Sequence, residues 1–233
     1  HFIVTRAAAG GRSGPVGANR QMTPAEQSRI TRDIAHLAPV IPVLVVQDPD
    51  RARPLAEALV AGGLPALEVT LRTAGALDAI AAMADVPGGV VGAGTLLTPR
   101  DVQAAKAAGA KFGVSPGATD ELVEASVSEV LPLLAGAATA TEAMRLLARG
   151  YDMLKFFPAE AAGGVAYLKS LAGPLPRIAF CPTGGVSSDN ALDYLTLPNV
   201  VCVGGSWVAP AEMQDSGDWA GIENRARQAA MLG

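Results

Sequence analysis

The run MLKFFPAE, from Met153 to Glu160, places one lysine inside an apolar, strand-like segment. Alternation along a strand puts Met153, Lys155 and Phe157 on the same face. If that face is buried, desolvation disfavours the ammonium, and the neutral amine is a nucleophile that can form a Schiff base with a carbonyl compound. If it faces outward, Lys155 instead extends along the surface to reach solvent. The segment therefore predicts either a nucleophilic lysine or a solvent-directed one.

A second polar pattern lies in LEVTLRT, where Glu68, Thr70 and Arg72 occupy every second position. If this face points inward, a carboxylate lies inside the fold and a guanidinium lies at the end of the strand. A carboxylate can transfer protons, and an arginine can hold an anionic group. An internal salt bridge is the competing interpretation, although buried ion pairs contribute little net stability. The pattern favours an acid-base group beside an anion-binding arginine.

Short β-branched runs alternate with alanine-rich helical stretches from Pro39 onwards. We count eight strand candidates, spaced by roughly 20 to 28 residues, which is typical of repeated strand-helix units. Such a chain forms either a closed barrel or a doubly wound open sheet. The units are evenly sized, and no G-x-G-x-x-G motif follows the first strand. We therefore predict an α/β fold, a single-domain (β/α)8 TIM barrel.

In a parallel barrel, functional side chains gather at the carboxyl ends of the strands. The third strand ends in GAGT, where Thr95 offers a hydroxyl and an amide to a carboxylate, although a tight turn explains the glycines equally well. The last two strands end in CPTGGV and VGGSW. Paired glycines at these two positions, with Thr183, Ser187 and Ser206 nearby, match the phosphate site that barrels often build there. Together, these groups indicate a Schiff-base lyase for a phosphorylated keto acid.

Composition argues against several classes of partner. The net charge of −4 is opposed to a nucleic-acid partner, and no apolar run reaches the roughly 18 residues that span a bilayer. Cys181, Cys202, His1 and His36 lack the spacing of a metal or redox motif. We expect no cofactor, although magnesium held by carboxylates stays open. Buried, reduced thiols favour a cytoplasmic protein.

The first 21 residues are rich in glycine, alanine and arginine and precede MTPAEQ, in which Met22 resembles a natural start. Thr23 is the predicted cap of a first helix. We expect residues 1–21 to be a leader or an extended N-terminus outside the fold, with no signal-peptide core. The barrel with its N-terminal helix is predicted to cover residues 22–233.

The motifs LEVTLRT, VGAGT, SPG, KFFPAE, GGV, CPTGG and GGSW occur in the order and spacing of one known family. From about residue 39 to residue 210, the chain resembles the class I 2-keto-3-deoxy-6-phosphogluconate (KDPG) aldolases, known also for 4-hydroxy-2-oxoglutarate aldolase activity. The resemblance implies a (β/α)8 barrel, usually a homotrimer. It also implies metal-independent cleavage of KDPG to pyruvate and glyceraldehyde 3-phosphate, a step of the Entner-Doudoroff pathway.

The resemblance further implies roles for individual residues. Lys155 would be the Schiff-base lysine and Glu68 the general acid/base. Arg72 and Thr95 would hold the pyruvate carboxylate. The remaining implied contacts are Pro116 and Phe157 at the pocket wall, Thr183 at the substrate chain, and Gly184, Gly185 and Ser206 at the phosphate.

Ala135 stands where we expect a proline before the glycine of the fifth strand, which leaves fine substrate selection open. The nearer alternative function is an aldolase for the galactonate stereoisomer or for an unphosphorylated hydroxy keto acid, and the paired glycines argue against the second. The more distant alternative is a phosphate-binding barrel without lyase activity, either an isomerase with Glu68 as base or a ligand-binding module. That alternative predicts no imine with pyruvate.

Overall fold

The computed structural model describes residues 21–233, in which parallel strands alternate with helices. The strands of this part of the chain are β1 Val40–Leu44, β2 Ala66–Thr70, β3 Val90–Gly94, β4 Phe112–Val114, β5 Leu133–Ala137, β6 Met153–Phe156, β7 Ala179–Pro182 and β8 Val203–Gly205. The helices are α1 Pro24–Ala35, α2 Ala52–Ala61, α3 Ala76–Met83, α4 Pro99–Ala107, α5 Asp120–Ser128, α6 Ala140–Arg149, α7 Gly164–Ala172, α8 Ala191–Leu195, α9 Ala211–Ser216 and α10 Trp219–Ala230. The eight strands of the described residues agree in number with the eight strand candidates of the sequence.

The sheet closes on itself between its last two strands. Hydrogen-bonded neighbours follow the order β7-β6-β5-β4-β3-β2-β1-β8. The two outer members of this order, β7 and β8, meet through parallel bridges between Phe180 and Val200 and between Thr183 and Gly204. The sheet is therefore a nearly closed barrel, which confirms the predicted (β/α)8 fold and rejects the doubly wound sheet.

Alternation along the strands sorts apolar side chains between an outer and an inner core. Leu67 and Leu154 belong to the outer core between the barrel and its helices. Ala66 and Met153 belong to the smaller core inside the barrel. Because every second residue of a strand shares a face, Lys155 has the orientation of Met153 and lies in the barrel interior. The outward, solvent-directed alternative for this lysine was wrong.

Helix α1 packs against the amino-terminal ends of β5 and β6. Ser28 Oγ accepts hydrogen bonds of 2.9 Å from the backbone N–H groups of Asp152 and Met153, and donates one of 2.7 Å to Asp152 Oδ1. Gln27 Oε1 accepts a 2.7 Å hydrogen bond from the hydroxyl of Tyr151. These polar contacts place the helix across the end of the barrel that is opposite to the predicted site.

The start of α1 agrees with its predicted cap. Thr23 Oγ1 accepts from the backbone N–H of Glu26, and the Glu26 carboxylate accepts from the backbone N–H of Thr23. The expected leader falls on residues 1–20, outside the described part of the chain, and on residue 21. From residue 21 onwards, no helix is long and apolar enough to cross a membrane.

Candidate active site

Lys155 and Glu68 meet in the middle of the barrel. Their strands, β6 and β2, are four places apart in the strand order, so inward side chains from the two strands face each other across the interior. Lys155 Nζ lies 3.5 Å from Glu68 Oε1, and the two side chains are only 6 % and 4 % exposed. This distance exceeds the roughly 2.7–2.9 Å of a charge-assisted hydrogen bond. The two groups are therefore adjacent without being tightly bonded.

Two glycines of β3 make room for side chains inside the barrel, one of them for this carboxylate. Glu68 pairs with Gly92, and Thr70 pairs with Gly94. A Cβ added at Gly94 would overlap Glu68 Oε1, and one at Gly92 would lie 2.5 Å from the ring of Phe112. Both glycines lie within the strand, and neither has a positive φ angle. A tight turn is therefore not the reason for the glycines of GAGT, because the space occupied by Glu68 and Phe112 requires them.

Thr95 and Pro116 lie at the ends of the next two strands. Thr95 follows β3, is half-buried and has a φ of 60°, a left-handed conformation that is uncommon for threonine. Pro116 follows β4, and its main chain packs so closely on Gly136 that a Cβ there would overlap it. Gly136 is the strand partner of Lys155. Both predicted residues therefore lie at the carboxyl-terminal edge of the barrel, the edge at which parallel barrels carry their active sites.

A cavity of about 440 Å³ opens at the same edge. Six predicted residues line it: Arg72, Phe157, Thr183, Gly184, Gly185 and Ser206. Lys155 lies behind its wall, with Nζ 4.9 Å from the centre of the Phe157 ring. Glu68, Thr95 and Pro116 do not form part of the lining. The ring of Phe157 thus separates the buried amine from the open part of the cavity.

The two glycines after β7 have a backbone conformation that suits the binding of an anion. Gly184 and Gly185 have φ angles of 100° and 77°, which favour glycine. Within the described residues, their N–H groups donate to no backbone or side-chain acceptor. Successive free amides in such a turn form a concave site that attracts anions. Ser206, exposed after β8, lines the same cavity.

The family whose model matches residues 31–225 is described as KDPG and KHG aldolase. A curated relative, the 2-dehydro-3-deoxy-phosphogluconate aldolase of Pseudoalteromonas atlantica, is 50 % identical over 200 residues, which cover 85 % of this chain and 93 % of the relative. The chain belongs to the KDPG and KHG aldolase family.

Two solved structures of KDPG aldolases share the fold. That of Zymomonas mobilis ZM4, determined with 3-phosphoglycerate, superposes with a TM-score of 0.85 at 48 % identity and covers 88 % of this chain and 97 % of its own. The structure from Legionella pneumophila, with pyruvate captured as a covalent carbinolamine intermediate, has a TM-score of 0.83 at 44 % identity. The match covers 89 % of this chain and 98 % of the Legionella chain. The family assignment and the barrel therefore agree.

The fifth strand of this aldolase carries the departure from the family pattern at Ala135. The side chain of Ala135 lies in the outer core beneath the helices. It pairs with Leu154, which faces the same layer. Because Gly136 is the residue of β5 that shares the register of Lys155, a change at Ala135 reaches the site only indirectly.

Sequence reasoning assigned no role to three further polar residues near the cavity. Glu160 lines it, and the buried hydroxyl of Tyr194 donates a hydrogen bond to the Glu160 carboxylate. Burial, reinforced by this carboxylate, raises the pKa of Tyr194 well above its usual value, so the hydroxyl remains a donor. The side-chain amide of Asn190 forms hydrogen bonds with the main chain of Gly185 and Ser187 in the loop after β7. Glu160 is the last residue of the KFFPAE motif, so the sequence offered a signal for it. Asn190 and Tyr194 belong to no motif and could not have been identified from the sequence.

The remaining titratable groups do not suggest a metal centre. Within residues 21–233, no group of three or more His, Cys, Asp or Glu side chains is arranged to hold a metal ion. Cys181 and Cys202 are both buried, as expected, and both belong to the inner core. The chemistry that this aldolase site offers from its own residues is that of an amine, a carboxylate and hydrogen-bond donors.

Proposed function

We propose that this chain is a class I aldolase that cleaves KDPG to pyruvate and glyceraldehyde 3-phosphate, as in the Entner-Doudoroff pathway, and also acts on 4-hydroxy-2-oxoglutarate. The observation that carries the proposal is the buried Lys155–Glu68 pair beside a cavity with an arginine and an anion-binding loop. Family membership and the curated relative support the same reaction. The carbinolamine trapped in the Legionella enzyme supports an amine nucleophile.

The first half of the reaction forms an imine. The Lys155 nitrogen attacks carbon 2 of the keto acid and gives a carbinolamine. Glu68 donates a proton to its hydroxyl, which leaves as water, and a protonated imine remains. The positive nitrogen then attracts the electrons of the carbon 3–carbon 4 bond.

The second half breaks the carbon chain. Glu68, directly or through a water molecule, accepts the proton of the hydroxyl on carbon 4. The bond between carbons 3 and 4 breaks, the aldehyde leaves, and an enamine of pyruvate stays on Lys155. Protonation of carbon 3 and hydrolysis of the imine release pyruvate and regenerate the amine. No metal or other cofactor takes part in these steps.

The other site residues bind the two ends of the substrate. Arg72 and Thr95 hold the carboxylate, while Pro116 and Phe157 enclose the reacting carbons. Thr183 contacts the substrate chain; its hydroxyl is packed against Gly204 so closely that a Cβ there would overlap it. The phosphate is bound by three residues of the last two loops: Gly184, Gly185 and Ser206.

The decisive experiment is borohydride reduction in the presence of pyruvate, with chelator and without added metal, followed by mass mapping of the peptides. We expect one pyruvyl group on Lys155. Lys155→Met should abolish the adduct, and Lys169→Met, on the exposed side of α7, should retain it. A folded wild-type protein without an adduct would contradict the aldolase and leave the isomerase or binding module.

Substrate preference and assembly need separate measurements. Cleavage rates on the gluconate and galactonate epimers, and on 4-hydroxy-2-oxoglutarate, would rank the substrates, and faster cleavage of the galactonate epimer would correct the proposal. We infer a homotrimer in the cytoplasm. Light scattering of the purified protein should give the mass of three chains, and the mass of one chain would refute the trimer.

A further inference from the structure

The loop after β7 is held by hydrogen bonds to its carbonyl groups. The carbonyl of Thr183 accepts from the N–H of Ala159 at 2.8 Å, and that of Gly184 accepts from the N–H of Glu160 at 3.1 Å. In a trans peptide, the carbonyl and the following N–H point in opposite directions. Fixing these two carbonyls therefore fixes the N–H groups of Gly184 and Gly185.

The third carbonyl of the loop is held by a side chain. Asn190 donates from Nδ2 to the carbonyl of Gly185 at 3.1 Å, and its Oδ1 accepts from the N–H of Ser187 at 2.8 Å. The same peptide geometry directs the N–H of Val186 away from Asn190. Within the described part of the chain, that N–H has no acceptor, and Val186 lines the cavity.

We propose that Asn190 is a positioning residue for the substrate phosphate. Its amide holds the segment from Gly185 to Ser187 so that the free N–H of Val186 joins those of Gly184 and Gly185 at one anion. Asn190 itself is absent from the cavity lining, so it acts through the loop and not by touching the ligand. This inference depends on the proposed use of the loop as the phosphate site.

The test compares a phosphorylated with an unphosphorylated substrate. We expect Asn190→Ala to lower the ratio of kcat/KM for KDPG to kcat/KM for 4-hydroxy-2-oxoglutarate about tenfold, since one well-aligned donor is lost. Most of the change should lie in KM for KDPG. The inhibition constant of inorganic phosphate should rise by a similar factor. Ser188→Ala, an exposed change in the same loop, is the matched control and should keep both values.

The outcomes separate this inference from the proposed function. If folded Asn190→Ala keeps the ratio and the phosphate inhibition constant of the wild type, the positioning role is wrong. If Asn190→Ala does not fold, Asn190→Asp keeps an acceptor for Ser187 but loses the donor to Gly185, and an unchanged ratio would again refute the role. If the wild type shows no preference for KDPG and no inhibition by phosphate, the phosphate site itself fails.

Discussion

At the scale of single residues, the site depends on Glu68 and Lys155, two residues that are distant in sequence and become neighbours only in the fold. Glu68 faces Lys155, not Arg72, because β2 and β6 lie across the barrel from each other. Arg72 follows the end of β2 and is exposed at the cavity. One inward face therefore supplies groups for two proposed functions, a carboxylate in the interior for proton transfer and a cation at the mouth for the substrate anion.

Glu68→Gln tests the first of these functions. The amide keeps the shape of the carboxylate but can neither donate nor accept the proton. We therefore expect the fold to remain and the borohydride-trapped pyruvate adduct still to form, although more slowly. Exchange of the pyruvate methyl protons with deuterated solvent, followed by NMR, should slow about 10² to 10⁴-fold. An unchanged exchange rate would remove Glu68 from the acid-base role.

Gly94 is predicted to be intolerant of any side chain, because a Cβ there overlaps Glu68 Oε1. Gly94→Ala should displace the carboxylate and lower kcat at least about 10²-fold, a typical value for loss of positioned acid-base help. The matched control is Gly117→Ala, since no atom lies within 4 Å of a Cβ at Gly117. Equal activity of the two variants in steady-state assays would show that Glu68 can move without loss.

At the scale of elements, the two ends of the barrel have different tasks. The carboxyl-terminal ends of the strands carry the site, whereas the amino-terminal ends of β5 and β6 are covered by α1. Asp152 connects α1 to β6 through Ser28 and Arg32, with Arg32 Nη2 3.1 Å from Asp152 Oδ1. None of the residues of this connection belongs to the cavity lining, so the connection can be perturbed separately from the proposed chemistry.

Stability should depend on the ionisation of Asp152. Burial acts to raise its pKa, but hydrogen bonds from Ser28 and Arg32 outweigh this effect and lower the pKa below its usual value. A carboxyl group with a lowered pKa in the folded state stabilises the fold above its unfolded pKa of about 4. That contribution is lost as the pH falls through the lower, folded value. We therefore expect the free energy of unfolding in urea to decrease less between neutral pH and pH 3 in Asp152→Asn than in the wild type.

The exposed residue Asp189 offers a control for this titration, because Asp189→Asn leaves the contacts of α1 with β6 intact. In Asp189→Asn, the free energy of unfolding should decrease with falling pH as much as it does in the wild type. If Asp152→Asn and the wild type lose stability in parallel as the pH falls, Asp152 does not contribute to the acid sensitivity.

At the scale of the whole molecule, the proposed phosphate site spans the seam that closes the barrel. In the described residues, the segments that contain β7 and β8 are joined by isolated bridges and not by a continuous ladder, and one bridge joins Thr183 to Gly204. The loops that follow these strands carry Gly184, Gly185 and Ser206, which line one cavity. An anion bound by both loops would therefore hold together β7 and β8, the two strands between which the barrel closes.

Phosphate should therefore raise the melting temperature of the protein. A ligand that binds only the folded state at 100 times its Kd contributes about 2.7 kcal/mol. Thermal unfolding in increasing inorganic phosphate, with sodium chloride at matched ionic strength as the control, measures this effect. An equal rise in both salts would show general screening and no specific site.

The sequence by itself determined the repeated strand-helix units, the alternation that places Met153, Lys155 and Phe157 on one face of β6, and the motifs of the site, because periodicity and residue type are local properties. It could not determine that Glu68 lies 3.5 Å from Lys155, or that Gly94 is small to make room for that carboxylate. It also could not show that Asn190 holds Gly185. These are contacts between distant segments, and their geometry is fixed only when the strands close into a barrel, so the tertiary structure decided them.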